Sequence, residues 1–540
     1  MANQVLSAAP REPAEGVPAR AGIRAHLLWA ALVIVVSLPL WANPIRFVFN
    51  DDGLFALQIA WHVERDRRST FNGVTPTNGY SPLWMAFNVL AMGLARASRP
   101  QALYVMMAME VMLLAGAVFC YRALAARLEV ARVWPGTAAL LSLSVFKLYG
   151  METFLAIALI VALAIQLLRA TREDSPSQWC WFGVLGGLLT LARLDDILLP
   201  LVALALSAQG RRRWMRLLCA GLPLVLLAGP YLLYNRFNYG YFGPISEAIK
   251  NSFPHLRASW AALGPTGVAF GIVGIAGLIA SCLGEGHGAA RRLLRVMSLA
   301  ALTQVVCIFL FSRGWGSQQA GYYTLGIVAL ALSLDFLATV GAGCLHPRSP
   351  SLTHKMSAVA LALLVAALIL RSATRAMGYV VGVARGKIEL GRGTAEDCAI
   401  KLAAWMDANL PAGSRMLVSD YPGVLAYRSR VAIVPLDGLM NDYQYNDYLV
   451  RHGIAQFIAA NGIDYYAGDE EQNDERARTF SEGGCIRIEV RAPLYRQPGG
   501  SFLIRRSARI LDVSKFCASA AEHIPFGAIW RLTPAPGCGP

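Results

Sequence analysis

The stretch Pro-Leu-Trp-Met-Ala-Phe-Asn-Val-Leu-Ala-Met-Gly-Leu-Ala, residues 82–95, is apolar throughout except for Asn88. It is shorter than the roughly 20 residues a helix needs to cross the hydrocarbon core of a bilayer. Whether it crosses fixes the sidedness of everything after it. Around it lie eleven other apolar segments, at 26–42, 101–121, 133–149, 151–169, 179–193, 195–209, 214–234, 265–284, 294–312, 321–341 and 355–371. If 82–95 spans, then Arg122, Arg127, Arg132, the cluster Arg211, Arg212, Arg213 and Arg216, and the pair Arg291 and Arg292 all fall outside, against the positive-inside rule. If it lies in the interface or re-enters, those loops become cytoplasmic, together with Arg169, Arg172, Arg348 and Lys355. The second arrangement is the expected one, with about eleven transmembrane helices.

Composition supports a membrane chain. Of 540 residues 56% are hydrophobic and 15% charged, with a mean hydropathy of +0.45, more apolar surface than a soluble domain of this size can bury. The formal charge of +15 does not mark a nucleic-acid binder, because the Arg residues sit in short loops rather than on one basic face. Arg11, Arg20 and Arg24 precede the first apolar run without a convincing cleavage site, so that run is read as an uncleaved span. Ten Cys residues include no CxxC and no Cys/His cluster, which argues against zinc. Cys398, Cys485, Cys517 and Cys538 lie in the last third, where a disulfide is open to them if that region is extracytoplasmic.

The expected organisation is a cytoplasmic tail at 1–25, a transmembrane domain at 26–371 with a large first external loop at 43–100, and a periplasmic α/β domain at 372–540. In that last third, 394–409 and 442–460 read as helices, and 416–419, 431–435, 463–467 and 501–504 as strands. The chosen topology places 43–100, 149–152, 193–196, 235–264, 313–320 and the C-terminal third on one face. Those segments also hold the residues with chemical promise.

Asp51 and Asp52 follow the first span as a pair of carboxylates. Beyond them the loop Phe71 to Trp84 is dense in turn formers and hydroxyl or amide groups, with Asn78, Tyr80 and Trp84 suited to a sugar or headgroup at the interface. Glu152 in Gly150-Met151-Glu152-Thr153 and Arg193, Asp195 and Asp196 interrupt apolar pairs at their outer ends, where an ionisable group is costly unless it faces protein or water. A polar hinge or a structural ion pair would account for them equally well. Lys250, Arg313 and Arg236 lie on external loops and would serve either as interfacial anchors or as phosphate ligands. Trp315, Tyr322 and Tyr323 fit an aromatic belt or a sugar platform.

The double Asp, the following Thr-Asn-Gly-Tyr-Ser-Pro-Leu-Trp, the Gly-Met-Glu-Thr at 150–153 and the Arg-Leu-Asp at 193–195 together resemble the GT-C superfamily of membrane glycosyltransferases. The likeness is to the bacterial branch related to protein mannosyltransferases and arabinofuranosyltransferases. It covers roughly 25–340, with a weaker echo at Val434-Pro435-Leu436-Asp437-Gly438-Leu439. The family pattern has Pro between the Arg and the acid, where this chain has Leu194, and Asp196 is extra.

The resemblance implies a polytopic α-helical GT-C-like fold in the bacterial inner membrane, with the active site facing the periplasm. It implies transfer of a sugar, usually with inversion, from a polyprenyl-phospho-sugar to a glycan, a lipid-linked saccharide or a protein. A first-loop Asp would be the general base, since a carboxylate of ordinary pKa, roughly 4, is ionised at neutral pH. Asp51 is favoured for that role, with Asp52 orienting. Glu152, Arg193, Asp195, Asn78 and Tyr80 would support the acceptor or the active site, and Lys250, Arg313 and Arg236 the donor phosphate. No cofactor is implied with certainty; Mg²⁺, Mn²⁺ or Ca²⁺ on oxygen ligands stays open. The competing readings are a transporter or flippase for a lipid-linked sugar, which would place charges near the midplane and often carries internal repeats, and a non-catalytic envelope scaffold.

Overall fold

A computed structural model describes residues 19–130, 134–146, 148–207, 209–253, 255–282, 288–313, 320–344, 395–441, 443–470, 477–482, 484–494, 497–517 and 526–532, with the single residues 367 and 374. The expected span 355–371 apart from residue 367, most of the N-terminal tail, Arg132, Trp315, Arg348, Lys355 and Cys538 lie outside the described residues.

Among the described residues the first part has fourteen α-helices: α1 Ala19–Ser37, α2 Pro44–Phe47, α3 Phe55–Asp66, α4 Pro82–Leu94, α5 Arg99–Arg127, α6 Pro135–Ser142, α7 Thr153–Glu173, α8 Pro176–Ala192, α9 Leu198–Ser207, α10 Arg213–Tyr239, α11 Ile245–Lys250, α12 Trp260–Ala280, α13 Gly288–Phe311 and α14 Thr324–Cys344. Prolines in the first turn open α4, α5, α6 and α8, where a missing N–H costs nothing. Six segments among the described residues are helices long and apolar enough to cross a membrane: Ile23–Ala42, Arg99–Arg127, Thr153–Glu173, Arg213–Tyr239, Trp260–Ala280 and Gly288–Phe311. Each coincides with one of the eleven expected spans. Others of the eleven are shorter: 133–149 is α6 followed by the tight turn Leu143–Val145, and 195–209 is the ten-residue α9. The ambiguous stretch forms the thirteen-residue α4, which packs against α3, α5 and α8.

Side chains facing outward identify the solvent. Leu218, Leu222, Val225, Leu226 and Leu233 on α10, and Trp260, Ile272, Ile275 and Ile279 on α12, are all more than half exposed. So much apolar surface at helical spacing is stable only in lipid.

The C-terminal part is α/β. Its helices are α15 Ala395–Asn409, α16 Pro422–Arg428, α17 Tyr443–Ala460 and α18 Val513–Phe516. Its strands are β1 Arg415–Val418, β2 Ala432–Pro435, β3 Tyr465–Gly468, β4 Ala477–Glu482, β5 Cys485–Ala492, β6 Gln497–Arg505, β7 Arg509–Asp512 and β8 Ala528–Arg531. One five-stranded sheet runs β2-β1-β3-β8-β7, with β1 parallel to β2 and β3, and β8 antiparallel to β3 and β7. A separate antiparallel sheet runs β4-β5-β6. The two expected helices and four expected strands are present. Cys398 and Cys517 form a disulfide with Cα atoms 5.6 Å apart, and Cys485 is disulfide-bonded as well.

The two parts share one hydrophobic core, in which Ala399, Leu402, Val424 and Leu425 join Phe49, Leu54, Leu57 and Ile59 of the first loop. α16 packs on α3, and α15 on α2.

Candidate active site

Two glycines bring the first loop onto the turn before α7. Gly150 has φ +85°, a conformation that glycine adopts without strain, and a Cβ added there would lie 2.4 Å from the Gly53 carbonyl oxygen. A Cβ on Gly53 would in turn lie 2.5 Å from the Tyr149 carbonyl oxygen. The contact is held by Trp84 Nε1, which donates to the Gly150 carbonyl at 3.1 Å, and by the Gly150 N–H, which donates to both oxygens of Glu110 at 2.9 and 3.0 Å. Glu110 lies fully buried within α5. The motifs Asp-Asp-Gly and Gly-Met-Glu-Thr are therefore one unit, with Asp52 and Glu152 on the wall of the same cavity.

That cavity has a volume of about 490 Å³. Its polar wall includes Asp52, Tyr80, Glu152, Arg193, Asp195, Ser246, Glu247, Lys250, Gln304 and Tyr322, and its apolar wall includes Phe55, Trp84, Phe253, Ile308, Phe311 and Met440. The segments 43–100, 149–152, 193–196 and 235–264, grouped on one face by the topology argument, thus line one space, together with residues of the expected spans 195–209, 294–312 and 321–341.

Arg193 organises the centre. Its side chain, 4% exposed, donates Nε to Asp195 Oδ1 at 2.9 Å, and a terminal nitrogen to Glu152 Oε1 at 3.3 Å and to the Gly321 carbonyl at 2.7 Å. The guanidinium carbon also stands 5.1 Å from the centre of the Tyr322 ring. Lys250 Nζ donates to Tyr322 Oη at 2.7 Å. Burial works to lower the Lys250 ammonium, but Tyr322 and then Asp52 outweigh it and hold the pKa above its ordinary value. Lys250 is therefore a fixed positive charge. Glu247, one turn earlier on α11, is pushed up to about 7, first by burial and then by the charge of Asp195.

Adjacent residues diverge. Asp52 lines the cavity, whereas Asp51 turns away to the C-terminal domain, accepting the Val424 N–H at 2.7 Å and the Gly423 N–H at 3.1 Å at the start of α16. Burial pushes the Asp51 carboxyl well above the usual carboxylate range, with the Val424 N–H pulling the other way. The preference for Asp51 as the base does not survive this placement, because its two oxygens are engaged by backbone donors. Asp195 and Asp196 diverge likewise: Asp195 is one-third exposed in the cavity, while Asp196 is buried and accepts from Thr324 Oγ1 at 2.7 and 2.9 Å.

Other expected residues take structural positions. Asn78, 3% exposed, donates to Asn235 Oδ1 at 3.2 Å and accepts the Ile245 N–H at 3.3 Å, bracing α11 from outside the cavity wall. Tyr80 does line the cavity, its hydroxyl 2.8 Å from Ser69 Oγ. Arg236 is exposed, donates to the Gly240 carbonyl at 2.7 Å and lies outside the cavity wall. Arg313 donates to the Leu494 carbonyl at 3.2 Å, a tie to the C-terminal domain. Of the three expected phosphate ligands, Lys250 alone lines the cavity. Tyr323 is core, stacked on Phe270 at 5.1 Å. Among the described residues no group of three or more His, Cys, Asp and Glu is gathered for a metal. Glu152 and Asp195 are bridged by Arg193.

The C-terminal domain packs on the first loop and contributes to the cavity wall. A Cβ on Gly79 would lie 2.3 Å from the Leu439 carbonyl, Asn72 Nδ2 donates to Asn441 Oδ1 at 3.4 Å, and Met440 enters the cavity wall.

No protein-family model matches the chain, and no curated protein matches it. Among solved structures it is similar to the crystal structure of ArnT from Cupriavidus metallidurans in the apo state, at 11% identity and a TM-score of 0.40, over 83% of this chain and 96% of that one. It is also similar to the cryo-EM structure of the arabinofuranosyltransferase AftD from Mycobacteria, at 14% identity and a TM-score of 0.40, over 85% of this chain and 37% of that one. The present chain thus spans little more than a third of the length of AftD. At that TM-score neither likeness bears on chemistry, which rests on the cavity's own residues.

Proposed function

We propose that the chain is a GT-C-type glycosyltransferase of the bacterial inner membrane, transferring a sugar from a polyprenyl-phosphate carrier to an acceptor hydroxyl in a cavity open to the periplasmic side. The observation that carries this reading is the convergence of Asp52, Glu152, Arg193, Asp195 and Lys250 on one cavity with an apolar flank. A carboxylate for proton removal and fixed cations for a phosphate leaving group are what such a transfer requires.

In this mechanism Asp52 takes the proton of the acceptor hydroxyl as its oxygen bonds to the anomeric carbon. The bond from that carbon to the phosphate oxygen breaks, and its electron pair leaves with the polyprenyl phosphate. Attack opposite the leaving group inverts the anomeric centre. Lys250, held by Tyr322, and Arg193 face the charge that develops on the phosphate. Phe253, Ile308 and Phe311 offer an apolar wall to the adjoining isoprenoid units. Glu152, paired with Arg193 at 3.3 Å, is suited to accept hydrogen bonds from sugar hydroxyls. The acceptor is a glycan, a lipid-linked saccharide or a protein.

Membranes containing the protein, given radiolabelled undecaprenyl-phospho-sugars and native envelope acceptors, should consume at least one donor. Asp52→Asn at matched expression should lose that transfer. Consumption of no donor, or full activity in the Asn variant, would overturn the proposal.

A further inference from the structure

Four acids line the cavity, and three of them are accounted for: Asp52 as the proposed base, and Glu152 and Asp195 as partners of Arg193. The fourth, Glu247, has no part in the transfer just described. It lies in the first turn of α11, three residues before Lys250, so the two side chains leave the helix on one face with Cβ atoms about 5–6 Å apart. The packing of that helix fixes which face this is. Ile245 and Ile249 are buried, Ile249 against Gly438 of the C-terminal domain, while Ser246, Glu247 and Lys250 line the cavity. The Glu247 carboxyl accepts a hydrogen bond from Asn251 Nδ2 at 3.5 Å, and Asn251 is also on the cavity wall. The charged and titratable groups that act on it are Asp195 and Arg193 from the turn after α8, Glu152 from the turn before α7, Lys250 from its own helix, Tyr231 from α10 and Tyr443 from α17.

A phosphate held at Lys250 brings its oxygens beside Glu247. Were Glu247 ionised, two anions would meet at that one ammonium, and like charges at such range drive a proton onto one of them. A sugar phosphodiester is a strong acid and stays ionised, so the proton resides on Glu247. The cavity already favours that form: burial and then the charge of Asp195 push Glu247 up to about 7, against the opposing pull of Arg193 and Lys250. A bound phosphate acts in the same direction as Asp195. When the sugar departs, the carrier becomes a phosphate monoester, which takes a second proton at a pKa of roughly 6. The leaving group and the acid beside it therefore hold a proton with similar strength, which suits transfer between them.

We infer that Glu247 is the general acid of the transfer, giving its proton to the phosphate oxygen that leaves the anomeric carbon. The inference rests on the transfer reading above. As the bond from the anomeric carbon to that oxygen breaks, its electron pair stays on the oxygen and takes the Glu247 proton, so the carrier departs as a singly charged hydrogen phosphate. Asp52 ends with the proton of the acceptor hydroxyl, and Glu247 ends as a carboxylate. Loss of the Asp52 proton to water and return of one from water to Glu247 restore both groups. Lys250 and Arg193 stabilise the phosphate throughout, while the charge that the breaking bond would leave on the departing oxygen is removed by Glu247.

The test uses the full chain in detergent, the undecaprenyl-phospho-sugar that the parent consumes and native envelope acceptors, with transfer followed from about pH 5.5 to 9.5. In the parent, kcat/KM for the donor should fall about tenfold per pH unit above about 7, and the fall in kcat should lie at higher pH, because the bound phosphate holds the proton on Glu247. Lys250 is held above its ordinary value and keeps its charge, so it cannot produce that limb. Glu247→Gln should lose the alkaline limb and, at about pH 6, lower transfer about 10²-fold, the low end for a general acid because phosphate leaves readily. Its amide still donates to the phosphate, so the Kd for the donor at that pH should stay within about threefold of the parent. If Glu247→Gln does not purify as a single species, Glu247→Asp, with its carboxyl withdrawn by one methylene, should move the limb to a different pH. A parent with no alkaline limb, a limb that survives in Glu247→Gln or stays in place in Glu247→Asp, or donor binding that weakens as much as transfer would overturn the inference while transfer itself stands. A parent that consumes no donor at any pH would overturn the transfer reading and this inference with it.

Discussion

Replacing Asp51 and Asp52 by Asn, one at a time, should separate two roles that sequence adjacency conceals. Asp51 gives one oxygen to the Val424 N–H at 2.7 Å and the other to the Gly423 N–H at 3.1 Å. Asn retains one acceptor and turns an NH₂ toward the second N–H, so one hydrogen bond is lost and a donor faces a donor. A charge-assisted bond contributes about 1.5–3 kcal/mol, and an unsatisfied buried donor costs about 1–3 kcal/mol, so a net loss of about 2–4 kcal/mol is expected in the docking of α16 on the first loop. Asp52→Asn touches no such clamp and removes the carboxylate that faces the cavity. Thermal unfolding in detergent should therefore show a lowered midpoint for Asp51→Asn and an unchanged one for Asp52→Asn. Transfer measured well below either midpoint should fall by about 10²–10⁴ for Asp52→Asn, the range for loss of a general base, and by less than about tenfold for Asp51→Asn. Limited proteolysis should cut the C-terminal domain faster in Asp51→Asn. Abolished transfer with an unchanged midpoint in Asp51→Asn, beside an active Asp52→Asn, would refute the assignment.

Lys250→Gln should raise the KM for the sugar donor about 10- to 100-fold, while Arg236→Gln, changed outside the cavity wall, should stay within about twofold in the same assay. Gly150→Ala, with φ +85° and a Cβ 2.4 Å from the Gly53 carbonyl, should fail to give a single species on size exclusion, and near-normal recovery would show that the two loops do not meet as described. Glu247 keeps its proton up to about pH 7 in the folded protein but only to about 4.5 when unfolded. The folded state therefore holds more protons across that interval, so this group's contribution to stability is full below pH 4.5 and is lost as pH rises to 7. A pH series of thermal midpoints should show that slope reduced in Glu247→Gln; identical slopes would remove Glu247 as its source.

Legibility in the sequence followed the physics of each signal. Arg placement in loops is a many-residue signal, and the segments it grouped on one face, from Asp52 to Lys250, do line one cavity. Direction of a side chain is a one-residue property. Nothing in Asp51-Asp52 or Asp195-Asp196 says which member turns to Val424 or Thr324, because those partners lie 373 and 128 residues away. Glu110 was open to recognition, as an acid alone within an apolar span must find a donor, and it finds the Gly150 N–H. Residues 485–492 alternate Cys-Ile-Arg-Ile-Glu-Val-Arg-Ala, a clear period of two, and they form β5, which the expected strands omit. α16 is only seven residues long and has no amphipathic run to announce it; its start is fixed by Asp51.

A scaffold whose outer domain served a separate binding role would need only a tether to the membrane part. The domain instead shares its core with the first loop through Val424 and Leu425, and brings backbone against Gly79 at Leu439. Gly438, in the same turn, has φ +73°, and a Cβ there would stand 3.2 Å from Ile249 of α11. This turn therefore touches the loop that carries Asp52 and the helix that carries Lys250, the proposed base and the proposed phosphate ligand. Met440 then enters the cavity between them. Seated in this way, the C-terminal domain touches the elements that carry both the acid and the cation, and it belongs to the site on which transfer is proposed to occur.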